Sequence, residues 1–162
     1  MSTTTTKEHV ALLIADRFSP GATEGLLKVL LVKKRLSVSL SLPVQRVPPS
    51  RHQRTFFGDD FIGSLDIDLN DIDCEENRIA CDNPEGRSKL VIYLYHGFLN
   101  RSAPRVGRQG EIFSWAPIES LEKMSDLQPM SRAIVIYALT RKLPCVFKAP
   151  TATPEPESRP GP

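Results

Sequence analysis

Residues 89–139 constrain this chain more than any other stretch. Leu90 to Leu99 (LVIYLYHGFL) is rich in β-branched and aromatic residues and has the length of one strand. Glu111 to Ala116 reads as a second, shorter strand carrying the single tryptophan, Trp115. Asn100 to Gly110 joins them as a polar loop punctuated by Pro104, Gly107 and Gly110. Pro129 to Leu139 reads as a helix with its proline in the first turn, where a missing amide hydrogen costs nothing. The order is strand, loop, strand, short acidic helix, proline, final helix.

Upstream, His9 to Asp16 (HVALLIAD) is an apolar run that fits a buried strand. Ser19-Pro20-Gly21 marks a turn, and Gly25 to Lys34 (GLLKVLLVKK) is apolar again before a cationic stop. The two runs are expected to form a hairpin. Ser37 to Leu42 alternates polar and apolar with a period of two, the pattern of a half-buried strand. Pro43, Pro48 and Pro49 then break regular structure, so residues 43–55 are expected to be a loop. A second loop is expected over 74–88, which is polar up to the central strand. Residues 1–8 are threonine-rich and expected to be a flexible lead-in. Residues 149–162 hold five prolines and almost nothing apolar, and 144–162 is expected to be a disordered tail. One folded domain over 9–143 follows.

Charge and cysteine content exclude several classes. The formal net charge is +2, so nothing in the overall balance points to nucleic acid. Cys74, Cys81 and Cys145 are odd in number and lack CxxC spacing, which argues against a structural zinc site or a disulfide framework. The N-terminus lacks the basic-then-apolar order of a secretory signal, and no apolar run reaches the ~18 residues of a membrane span. A cytoplasmic protein is the expectation.

The order of these elements resembles the Nudix (MutT-like) hydrolase family. Two early strands ending in a basic pair resemble HVALLIAD and LLKVLLVKKR. Gly110-Glu111-Ile112-Phe113-Ser114-Trp115 is similar to the family's turn into a tryptophan-bearing strand. Ile118-Glu119-Ser120-Leu121-Glu122 resembles its short acidic helix, and Leu127-Gln128-Pro129-Met130-Ser131 the proline segment that opens its last helix. The resemblance implies an α/β (α+β) fold with a mixed β-sheet and flanking helices. It also implies magnesium-assisted attack of water on a diphosphate. The family's hallmark is a glycine, a glutamate, Arg-Glu, a Glu-Glu pair and a glycine, spread over a loop and one helix, with the carboxylates on one face. No such pattern occurs between Arg35 and Lys89. Glu24 lies too early, and Glu75-Glu76 lacks the flanking Arg-Glu and glycine.

The sharpest chemical feature left is acidic. Asp66, Asp68, Asp71, Glu75 and Glu76 are the candidate metal ligands, for Mg²⁺ if the protein is an active hydrolase. Asp66, Asp68 and Asn70 also echo a calcium loop, but its glycine is replaced by Asp71 and its twelfth position is Asn77. Against this stands an amphipathic strand or solvated loop with Ile67, Leu69 and Ile72 facing a core. The candidate nucleotide-binding residues are Arg105, Arg108, Trp115 and Ser131. Ser131 stands where the resemblance implies a base contact, the arginines could meet phosphates, and Trp115 could stack on a base. Each has a structural alternative as well, in loop solvation or packing. His52 with Arg46, Arg51 and Arg54 could hold a phosphate, or be a solvated basic loop. His96 suits a packed histidine better than a catalytic base.

The expectation is therefore a diverged Nudix-like domain, binding a nucleotide, a nucleoside-diphosphate derivative or a protein, with little or no hydrolase activity. One rival is an active magnesium-dependent pyrophosphohydrolase using non-standard carboxylates. The other is a scaffold without a ligand.

Overall fold

A computed structural model of the chain describes residues 6–16, 28–34, 38–82, 88–100 and 110–143, the side chains of residues 81 and 82 excepted. The expected tail over 144–162, most of the lead-in, Arg105 and Arg108 lie outside the described residues.

The protein is built on a mixed sheet. Strand β1 (Thr6–Asp16) runs parallel to β5 (Lys89–Leu99) along its whole length, from Thr6 opposite Lys89 to Asp16 opposite Leu99. The parallel ladder draws β1 back to Thr6, three residues earlier than the apolar run alone implies. Strand β4 (Ile72–Asp82) lies antiparallel on the outer side of β5. On the other edge of β1, β2 (Lys28–Lys33) pairs antiparallel at Ala15 opposite Val29, as the expected hairpin requires. Strand β6 (Ile112–Pro117) closes that side against β2, giving the order β4-β5-β1-β2-β6. A short strand β3 (Val44–Arg46) pairs with β1 at His9 to Ala11.

Both faces of the sheet are covered. Side chains alternate across a strand. Ala11, Leu13 and Ala15 of β1 therefore join Leu90, Ile92 and Leu94 beneath α3 (Ile118–Leu121) and α4 (Pro129–Arg141). Val10, Leu12 and Ile14 pack against a helical segment on the opposite face. That segment is continuous: α1 (Gln53–Phe56), a π-helical turn (Phe57–Phe61) and α2 (Ile62–Ser64). Its Phe56, Phe57, Phe61 and Ile62 are buried. Helix α4 starts at Pro129 as its sequence predicts and ends at Lys142, which takes left-handed φ 54 and ψ 52 to cap the last turn.

Three expectations are corrected. The loop expected over 43–55 contains β3 and the start of α1. Most of the loop expected over 74–88 is β4, the outer strand of the sheet. Its polar side chains fit because an outer strand pairs along one edge only and keeps several side chains in solvent. The strand expected over Ser37 to Leu42 is reduced, among the described residues, to single bridges of Ser41 with Val32 and Leu40 with Leu127.

Candidate functional site

Two clefts of the molecule lie where β1 passes from one partner to another. β3 covers β1 at His9 to Ala11, and β2 takes over only at Ala15. The chain between, around residues 39–45, is fixed by backbone bonds. Ser41 and Val32 exchange bonds of 2.7 and 3.0 Å, the Leu12 amide donates to Pro43 at 2.9 Å, and the Gln128 amide donates to Leu40 at 3.0 Å. The Leu42 amide donates to the Ser131 hydroxyl at 3.0 Å, which ties this crossing to α4.

A cleft opens on each side of the crossing, and Lys34, Ser41, Val44 and Gln45 line both. The cleft on the α4 side has a volume of about 270 Å³ and is completed by His9, Ser39, Arg46, Gln128 and Met130. Its charged lining is basic: Lys34, Arg46 and, when protonated, His9. Burial, then the charges of Arg46 and Lys7, hold the His9 pKa below its ordinary value. Its Nδ1 is shut off from solvent and has no hydrogen-bond partner among the described residues. The cleft on the other side, about 230 Å³, is completed chiefly by Leu42, Pro43, Phe61, Ser64, Leu65 and Glu111.

Two polar clusters fasten the helices to the sheet. Under α1, the buried Tyr95 hydroxyl donates to Gln53 Oε1. Glu76 accepts from Gln53 Nε2 and from Arg54 Nε, each at 3.0 Å. Burial and the Glu76 carboxylate push the Tyr95 phenol pKa up, so it remains a donor. Phe57 stacks on Tyr95 with ring centroids 3.6 Å apart and 15° between planes. Under α4, Asn77 Oδ1 lies 2.8 Å from His96 Nε2, and its amide nitrogen donates to the Tyr137 hydroxyl at 3.2 Å. Burial lowers the His96 pKa against the opposing pull of Glu75.

No protein-family model and no curated protein matches the chain. Solved structures do. The Nudix domain of Shewanella oneidensis NrtR, in complex with ADP ribose, matches with a TM-score of 0.61 at 13% identity, over 88% of this chain and 91% of that one. The MutT protein of Methanosarcina mazei Go1 gives 0.57 at 15% identity, over 88% and 98%. The C. elegans Ap4A hydrolase gives 0.55 at 10% identity, over 85% and 98%. This chain has a Nudix-like fold. The likeness lies in architecture, and identities this low carry no residue roles with them.

The interval between the early hairpin and the late strand, where the resemblance read from the sequence would place an acidic hallmark, holds the helical segment 53–64, whose acidic side chains are Asp59 and Asp60. The sequence reading missed this helix. Its apolar positions, Phe57, Phe61 and Leu65, are four apart, but the π turn and two glycines blur the helical period. Both aspartates face Arg51, at 3.9 Å for Asp59 and 2.6 Å for Asp60.

The carboxylates expected to bind metal are dispersed. Asp66 sits in a turn at φ 59. Asp68 caps the 3-10 turn Leu69–Asp71 by accepting from the Asn70 amide. Glu75 and Glu76 are neighbours on β4, so their side chains leave opposite faces of the sheet. Glu75 lies opposite His96 on the α4 side, while Glu76 is held by Gln53 and Arg54 under α1. Among the described residues no three histidine, cysteine, aspartate or glutamate side chains are grouped to hold a metal ion. Among the described residues these carboxylates do not come together as a magnesium donor set.

The nucleotide-binding candidates fare differently. Ser131 is 0% exposed and its hydroxyl accepts from the Leu42 amide, so it is a tie within the fold. Trp115 is half-buried on β6 opposite Leu30 and packs at the margin of the core under α1. Of the basic loop, Arg51 and Arg54 are committed to carboxylates, and Arg46 lines the α4-side cleft. His9 and Lys34 were missed because only the strand register brings them beside Arg46. No helix among the described residues is long and apolar enough to cross a membrane.

Proposed function

We propose that this Nudix-like domain binds a nucleotide derivative in the two clefts beside residues 39–45, without the family's metal-dependent hydrolysis. The observation that supports it is the pair of clefts itself. Together they offer basic and hydroxyl groups on one side of the crossing, and Phe61, Leu65 and the Glu111 carboxylate on the other. Cationic donors suit phosphate, and a recess of mixed polar and apolar groups can take a ring with its hydrogen-bonding edge. ADP ribose in the NrtR complex gives a concrete first ligand to try.

Hydrolysis is left out because the acidic groups are dispersed or paired. An enzyme reading would have to rest on Asp59 and Asp60. The test is a panel including ADP-ribose and Ap4A, scored by thermal stabilisation and by release of nucleoside monophosphate, with and without Mg²⁺. Stabilisation that does not need Mg²⁺, with no release, is the expected result. Magnesium-dependent release that is lost in Asp59→Asn or Asp60→Asn would establish the enzyme instead. Stabilisation by no member of the panel would favour the scaffold.

A further inference from the structure

The α4-side cleft carries a more specific assignment. We propose that it is an anion site, taking the phosphate-bearing end of the ligand on the sheet face opposite the helical segment 53–64. For the rest of the ligand the assignment depends on the nucleotide reading; for the anion it does not.

Four observations converge. Arg46 and Lys34 line the cleft, and no aspartate or glutamate does. Both residues are exposed, so their charged ends can close on a ligand without a large desolvation cost. The register places His9 directly opposite Arg46, in the same lining. Gln128 and Met130, also in the lining, belong to the start of α4, a helix of 13 residues. No side chain caps that end, so its first amide groups and the positive end of its dipole are directed at the same region. A volume of about 270 Å³ exceeds what one phosphate needs and admits a diphosphate.

Asp59 and Asp60 lie on the far face, where an acidic pair repels an anion.

The experiment is calorimetric titration of the full chain with inorganic pyrophosphate at low ionic strength, then with ADP-ribose in the presence and absence of pyrophosphate. Arg46→Gln and Lys34→Gln are surface changes that leave the core intact. Each is expected to weaken pyrophosphate binding by about tenfold or more, the loss of one charge-assisted contact. Arg51→Gln, on the other face, is expected to leave it unchanged. No pyrophosphate binding, or equal binding in the wild type, Arg46→Gln and Lys34→Gln, overturns the anion site. Pyrophosphate binding that is lost in those variants while no nucleotide binds keeps the anion site and removes the nucleotide reading. ADP-ribose binding that pyrophosphate does not displace and the variants do not weaken does the reverse.

Discussion

At the scale of single residues, two positions show how little slack the sheet has. A Cβ on Gly97 would stand 2.0 Å from the Asp73 carbonyl oxygen and 2.6 Å from Cys74 Cα. Those are backbone atoms of the neighbouring β4, so only separation of β4 from β5 relieves the clash. Gly97→Ala is expected to cost about 3 kcal/mol, the upper end of ordinary overpacking, read from the urea midpoint. Gly63→Ala is the control: its Cβ would meet nothing within 4 Å, and removing a helical glycine should gain ~0.5–1 kcal/mol. Equal midpoints for the two variants would contradict the close approach at Gly97. Ser131 is the second position. Ser131→Ala leaves the buried Leu42 amide without its acceptor, and a loss of ~1–3 kcal/mol is expected in the same assay. No measurable loss would mean that another group takes up that amide.

At the scale of elements, the strands and final helix were legible because each carries a signal confined to its own residues. β5 is an apolar run between polar loops, and α4 opens on Pro129. β4 and the helical segment 53–64 were not legible, for different reasons. β4 is an outer strand whose charged side chains reach solvent or the Glu76 cluster, so its sequence reads as a loop until β5 is placed beside it. The helical segment keeps an apolar face, but its π turn spaces that face off the 3.6-residue period. The candidate site was less legible still, because His9, Lys34 and Arg46 meet only through the handover of β1 from β3 to β2. If the stack of Phe57 on Tyr95 is what seats the π turn, the pair should be coupled. A double-mutant cycle with Phe57→Leu and Tyr95→Leu is expected to return about 0.5–1.5 kcal/mol of interaction energy. A coupling near zero would show that the turn is seated by Phe56, Phe61 and Ile62 instead.

At the scale of the whole molecule, the two faces of the sheet differ in how they respond to acid. On the α4 side two imidazoles, His9 of β1 and His96 of β5, are held by burial below their ordinary pKa of 6.5. For His9 the charges of Arg46 and Lys7 act in the same direction, and for His96 the Glu75 carboxylate opposes it. As pH falls through 6.5, the unfolded chain takes up protons at both positions while the folded protein resists. The unfolded state then binds more protons, so stability must decline with falling pH. The contribution is complete above about pH 6.5 and is lost progressively below it, before most carboxylates begin to titrate. Urea midpoints measured from pH 7.5 down to 5 should therefore drop, and the drop should shrink in a His9→Gln, His96→Gln double variant, where neither side chain can take up a proton. An anion in the cleft that His9 lines favours its protonated form, so saturating pyrophosphate should also shallow the slope. An identical pH slope in the wild type and the double variant would remove the two histidines as its source, and with them the link between anion binding and acid stability.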